Sequence, residues 1–123
     1  MMVTLETNEA RLLLNIAMMA TGHNKFQSAE AILSALEKFR PMEASLASAR
    51  TLLLLSLRNF KGAVEYIDKV GLVKFPDDPM LLAFKGMAYL RMGLAQEAQE
   101  PLRLAASQTA NSAAAQLAKD LLT

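Results

Sequence analysis

One six-residue pattern recurs three times at nearly constant spacing. Asn24-Lys25-Phe26-Gln27-Ser28-Ala29 is echoed by Arg58-Asn59-Phe60-Lys61-Gly62-Ala63 and again by Gly93-Leu94-Ala95-Gln96-Glu97-Ala98. The closing alanines Ala29, Ala63 and Ala98 stand 34 and then 35 residues apart. A repeat of that length is one supersecondary unit that cannot bury its apolar face alone, so it stacks on its neighbours. Residue type selects helix over strand. The 53% apolar content is carried mainly by Ala, Leu and Met, which are strong helix formers, and β-branched residues are sparse. The chain therefore reads as all-α, a single domain over 1–123 built of helical hairpins.

Punctuation along the chain places the helices. A first is expected at about 9–20, with Thr7 or Asn8 as cap and Gly22 and Asn24 able to take positive φ in the turn that follows. A second, at 26–39, has Phe26, Ala29, Ile32, Leu33 and Leu36 recurring at threes and fours. Arg40-Pro41 stops it. A third is expected at 42–57 and a fourth at 60–70, with Gly71 as C-cap. Asp78 followed by Pro79 is a start signal for a fifth helix that ends near Met92, where Gly93 turns the chain. A sixth follows at 95–107 and a last at 112–122.

The period and its small residues resemble the tetratricopeptide repeat. That resemblance implies three hairpin units, at 10–43, 44–78 and 79–112, in a short right-handed superhelix. The helix at 112–122 would cap the open end. The small residue of each first helix falls on Ala17, Thr51 and Gly86, where two helices must approach closely. Phe26 and Phe60 hold the aromatic position of the second helix, where the third unit has Ala95. Lys85 departs from the pattern at a position that is usually apolar. Pro101 falls inside a helix, removes one hydrogen bond and is expected to kink it.

In this frame the first helix of each hairpin lines a concave side. Its groove-facing positions are Arg11, Leu14, Met18 and Thr21, then Ser45, Ser48, Leu52 and Leu55, then Met80, Ala83, Met87 and Leu90. Leu14, Met18, Leu52, Leu55, Met80, Ala83, Met87 and Leu90 are therefore the candidate partner-binding residues. Two readings of them stay open. Either they are core, filled by the chain's own last helix, or they form a trough for a partner's amphipathic helix. Methionines suit a groove that repacks around its guest. An open trough would leave the protein insoluble or dimeric when made alone, and Leu55→Asp or Met87→Asp should abolish capture. A clamp for a terminal carboxylate is not expected, since only Arg11 and Arg91 lie near the positions it needs.

Other function classes find little support. The net charge of +1 is scattered without a basic stripe, which argues against nucleic acid. Cysteine is absent, so disulfides and thiolate metal sites are excluded and a reducing cytoplasm suits the chain. Uninterrupted apolar runs such as Leu52 to Leu55 are far too short for a membrane span. Glu6 and Glu9 stand where a secretory leader carries positive charge. His23 is the one histidine and has no catalytic partners nearby in sequence. Asp77-Asp78 reads as helix capping. No metal ligand set and no glycine-rich phosphate loop is present, so neither enzyme activity nor a cofactor is expected.

The segment from Leu12 to Leu36, with Ala17-Met18-Met19-Ala20-Thr21-Gly22-His23-Asn24, resembles the tetratricopeptide-like chaperones of type III secretion systems. The ending Ala118-Lys119-Asp120-Leu121-Leu122-Thr123 is similar too, and Leu36-Glu37-Lys38-Phe39-Arg40-Pro41 resembles a related branch in plant pathogens. The resemblance implies a virulence-associated chaperone in the bacterial cytoplasm. It would hold the C-terminal amphipathic helix of a needle-type subunit in the trough and keep that subunit monomeric. It also implies a small helical co-chaperone on the first repeats. The alternative is a tetratricopeptide adaptor or scaffold stably assembled in a larger secretion or signalling complex.

Overall fold

Each copy of the pattern opens on a left-handed residue: Asn24 and Arg58 at φ 61° and Gly93 at 77°. The residue after it, Lys25, Asn59 or Leu94, has φ of −92°, −91° or −101° with ψ between 66° and 69°. In each turn the left-handed residue donates its N–H three residues back, to the carbonyls of Thr21, Leu55 and Leu90 at 3.0–3.1 Å. One helix thus ends and the next begins with almost no loop. Asn and Gly enter this conformation readily. Arg58 brings a β-carbon into it at a cost of roughly 1–2 kcal/mol. Gly22, expected to share this role, is instead the last residue of the preceding helix.

The computed structural model describes residues 7–108 and 112–122, and among these there is no strand. The helices are α1 (Thr7–Gly22), α2 (Phe26–Phe39), α3 (Ala44–Ser56), α4 (Phe60–Tyr66), α5 (Leu72–Lys74), α6 (Pro79–Arg91), α7 (Ala95–Ala106) and α8 (Ser112–Leu122), with a π-helical turn, Ile67–Gly71, joining α4 to α5. Thr7 and Asn8, expected as caps, are already helical. Asp78 does cap α6: its carboxylate accepts from the Leu81 N–H at 3.0 Å, with Pro79 in the first turn. Asn59 caps α4 by accepting from the Gly62 N–H at 3.0 Å. The chain divides into two compact units, Met1–Arg58 and Asn59–Thr123.

In the first unit α3 packs on both α1 and α2. Ala17, Ala29, Leu33, Leu36, Ala49 and Leu53 form its core. Ala17 and Ala29 are fully buried, so helix backbones close on a methyl group rather than a larger side chain. Arg50 of α3 reaches back to α2. It donates from Nε and Nη2 to both Glu37 oxygens at 3.1 and 2.6 Å, and from Nη1 to Glu30 at 2.5 Å. Burial works against its charge, but the bonds to Glu37 and Glu30 hold the guanidinium more firmly protonated than usual.

In the second unit α6 contacts α4, α7 and α8. Gly86 lets Leu102 of α7 lie against the α6 backbone, in space a β-carbon would occupy. Lys85, out of pattern by sequence, pairs with Asp68 of the π turn at 2.8 Å. Arg50 stands 35 residues earlier and pairs likewise with the helix before its own. α8 packs on α6 and α7, with Ala114 and Ala118 fully buried. Pro101 lies buried within α7, and the helix continues through it from Ala95 to Ala106.

The fourth helix differs from expectation. It does not end at Val70 with Gly71 as cap. It runs through Gly71, which is buried at φ −62°, to Lys74. A β-carbon on Gly71 would stand 2.9 Å from Leu81 Cδ1, so this glycine serves close approach, not termination. The π turn also accounts for the uneven period. From Phe26 to Phe39 the helix has 14 residues. From Phe60 to Lys74 it has fifteen, made of seven, five and three. Each is followed by four residues before the next helix. The extra residue that turns 34 into 35 therefore lies inside the helix, and a turn closing i to i+5 rather than i+4 absorbs it.

Candidate functional site

A helix that shows residues at i, i+3, i+4 and i+7 to one side makes a continuous wall. On α1 that wall is Arg11, Leu14, Asn15 and Met18, and it bounds a cavity of about 360 Å³ in the first unit. Leu36, at the end of α2, and Leu46 of α3 add apolar lining, and Thr7, Ala10 and Ser45 complete the neighbouring surface. The remaining side is the linker between α2 and α3. Arg40 leaves the helix in an extended conformation, and its N–H donates to the Leu36 carbonyl at 2.9 Å. Its guanidinium pairs with Glu43 at 2.9 Å. This clip holds Arg40, Pro41 and Glu43 as the third wall.

The cavity gathers four positions expected to face a groove, Arg11, Leu14, Met18 and Ser45. Met18 is 41% exposed and Leu14 half-buried. The remaining expected positions fare differently. Thr21 is buried, its hydroxyl donating to the Ala17 carbonyl at 2.9 Å, so it offers no open surface. Leu52 is half-buried, but Leu55 is only 8% exposed. An aspartate at Leu55 would therefore test the fold rather than a groove. In the second unit Ala83 is fully buried in one cluster with Leu102, Ala105 and Ala118 of α8, and Leu90 packs against that cluster. Met80 and Met87 are half-buried.

Sequence reasoning missed the Arg40–Glu43 clip. Its signal was only a cation and an acid three residues apart across a proline. It also missed a second feature of α1. Leu12, Ile16 and Met19, at i, i+4 and i+7, form an outer stripe with exposures of 61%, 42% and 63%. His23 is exposed in the turn beyond it. No helix among the described residues is long and apolar enough to cross a membrane. Among them, no group of three or more His, Cys, Asp or Glu is placed to hold a metal ion.

Comparison with known proteins finds no family model, no curated protein and no solved structure that matches the chain.

Proposed function

We propose that this protein is a non-catalytic, tetratricopeptide-like chaperone that holds an amphipathic helix of a secreted, self-polymerising subunit. The type III secretion needle-type subunit is the guest the resemblance names, and the bacterial cytoplasm the compartment. The observation that carries the reading is the cavity whose main wall is one face of α1, with Leu14 and Met18 beside Leu36 and Leu46. Its lining combines these apolar side chains with charged ones, and four of its positions, Arg11, Leu14, Met18 and Ser45, are ones that the repeat frame assigns to the groove. Helix-in-groove recognition needs such a surface. The three matching left-handed turns and the buried Ala17, Thr51 and Gly86 support a hairpin repeat, with α8 as its terminal cap. The outer stripe of Leu12, Ile16 and Met19 suits a second small helical partner, the co-chaperone of the resemblance.

The test is co-expression with a small helical subunit encoded nearby, followed by co-purification. Met18→Asp is the informative variant because Met18 is 41% exposed and its replacement leaves the core alone. Capture should fall at least about fivefold, as loss of a central apolar anchor costs about 1–2 kcal/mol or more, while the circular dichroism spectrum stays unchanged. Undiminished capture by Met18→Asp would remove the cavity from the proposal.

A further inference from the structure

The cavity in the first unit holds one charge that no described residue pairs with. Its lining carries two cations and one carboxylate. Arg40 and Glu43 pair with each other at 2.9 Å. Arg11 lies on the same face of α1 as Leu14 and Asn15, is exposed, and makes no ion pair or hydrogen bond among the described residues. Its guanidinium presents a planar fork of donors that suits a carboxylate.

We propose that the cavity selects an acidic amphipathic helix. The partner helix would place apolar side chains against Leu14 and Met18 and an Asp or Glu, about one turn away along its axis, against Arg11. The proposal rests on the reading of this cavity as a guest-helix site and adds the kind of guest it takes. Charge complementarity carries it: the one carboxylate in the lining is already neutralised, so an incoming acid meets an uncompensated cation, and an incoming Lys or Arg meets repulsion. Size agrees. About 360 Å³ lies at the low end of ligand cavities, which span roughly 300–1,000 Å³. That space receives a few side chains of a helix lying across the mouth, not the helix itself. Because Arg11 is exposed, the effect is a preference rather than an absolute requirement, and salt should weaken it.

The experiment uses the full chain and three synthetic amphipathic peptides identical except for Glu, Gln or Lys at the position one turn from the apolar anchors, with binding read by fluorescence polarisation. At low salt the Glu peptide should bind about tenfold tighter than the Lys peptide, as expected when a weak attraction replaces a weak repulsion at an exposed site. The gap should narrow at high salt. Arg11→Gln should abolish the preference while keeping the apolar contribution, and Arg11→Glu should reverse it. Met18→Ala, which changes no charge, should weaken all three peptides alike. Equal binding of the Glu and Lys peptides to the wild type would overturn the charge preference and leave the groove reading standing. Binding of none of them would overturn both. A medium-chain fatty acid bound in an Arg11-dependent way, with no peptide bound, would replace the helix as occupant.

Discussion

Gly86 shows how one absent side chain sets the distance between two helices. Leu102 of α7 occupies the space that a β-carbon on Gly86 would fill, and Leu102 is itself fully buried. Gly86→Ala should therefore destabilise the protein even though alanine favours helix. Overpacking costs about 1–3 kcal/mol and the propensity gain returns at most about 1. The net loss, up to about 2 kcal/mol, should lower the melting temperature by several degrees. A higher melting temperature would mean that Leu102 has a free alternative rotamer and that the helices are not held by this contact. The need for a small residue here was legible, because Ala17, Thr51 and Gly86 fall at one position of the repeat. The pairing of Arg50 with Glu37 and Glu30 was not. Those partners lie 13 and 20 residues away, and only the packing of α3 on α2 brings them within reach. Lys85 departs from the pattern for the same reason: its partner, Asp68, lies on a preceding element.

At the scale of the element, the π turn between α4 and α5 decides how an uneven repeat stays in phase. One residue inserted into an α-helix rotates everything beyond it by about 100°, which would turn Gly71 away from Leu81. Widening one turn confines the insertion. Deleting Lys69, an exposed residue within Ile67–Gly71, should then convert the turn to regular α-helix and leave both flanks in register. The melting temperature should change by no more than a few degrees, whereas deleting Gln99 from α7 should unfold the second unit. Equal damage from both deletions in thermal melts would sink this account of the π turn. Helix starts were readable at Asp78-Pro79 because capping is local chemistry. The continuation of the fourth helix past Gly71 was not, since glycine there answers to Leu81, a residue ten positions on. Pro101 is similar. It breaks a local rule, yet its ring is buried beside Leu102 on the side of α7 that carries the core.

For the molecule as a whole, α1 carries more apolar surface than its own unit covers. It buries Ala10 and Ala17, lines the cavity with Leu14 and Met18, and still exposes Leu12, Ile16 and Met19 on the outside. A helix that buries one apolar side and exposes a second apolar stripe has surface left for another partner. The isolated protein should therefore self-associate through this stripe. The double substitution Leu12→Glu with Met19→Glu should shift light scattering toward the monomer without loss of helicity, since both residues are more than 60% exposed. Unchanged association would place the sticky surface elsewhere. The residues alone determined the helical class, the recurring turns and the positions of the small residues, because propensity, capping and repeat period act over a few neighbours and need no tertiary partner. Only the folded chain decided which oily positions remain accessible. Ala83 and Leu90 are taken up by the second unit's own cluster with α8, while Met18 stays open, because burial depends on what other segments bring to a surface and not on the spacing of residues along one helix.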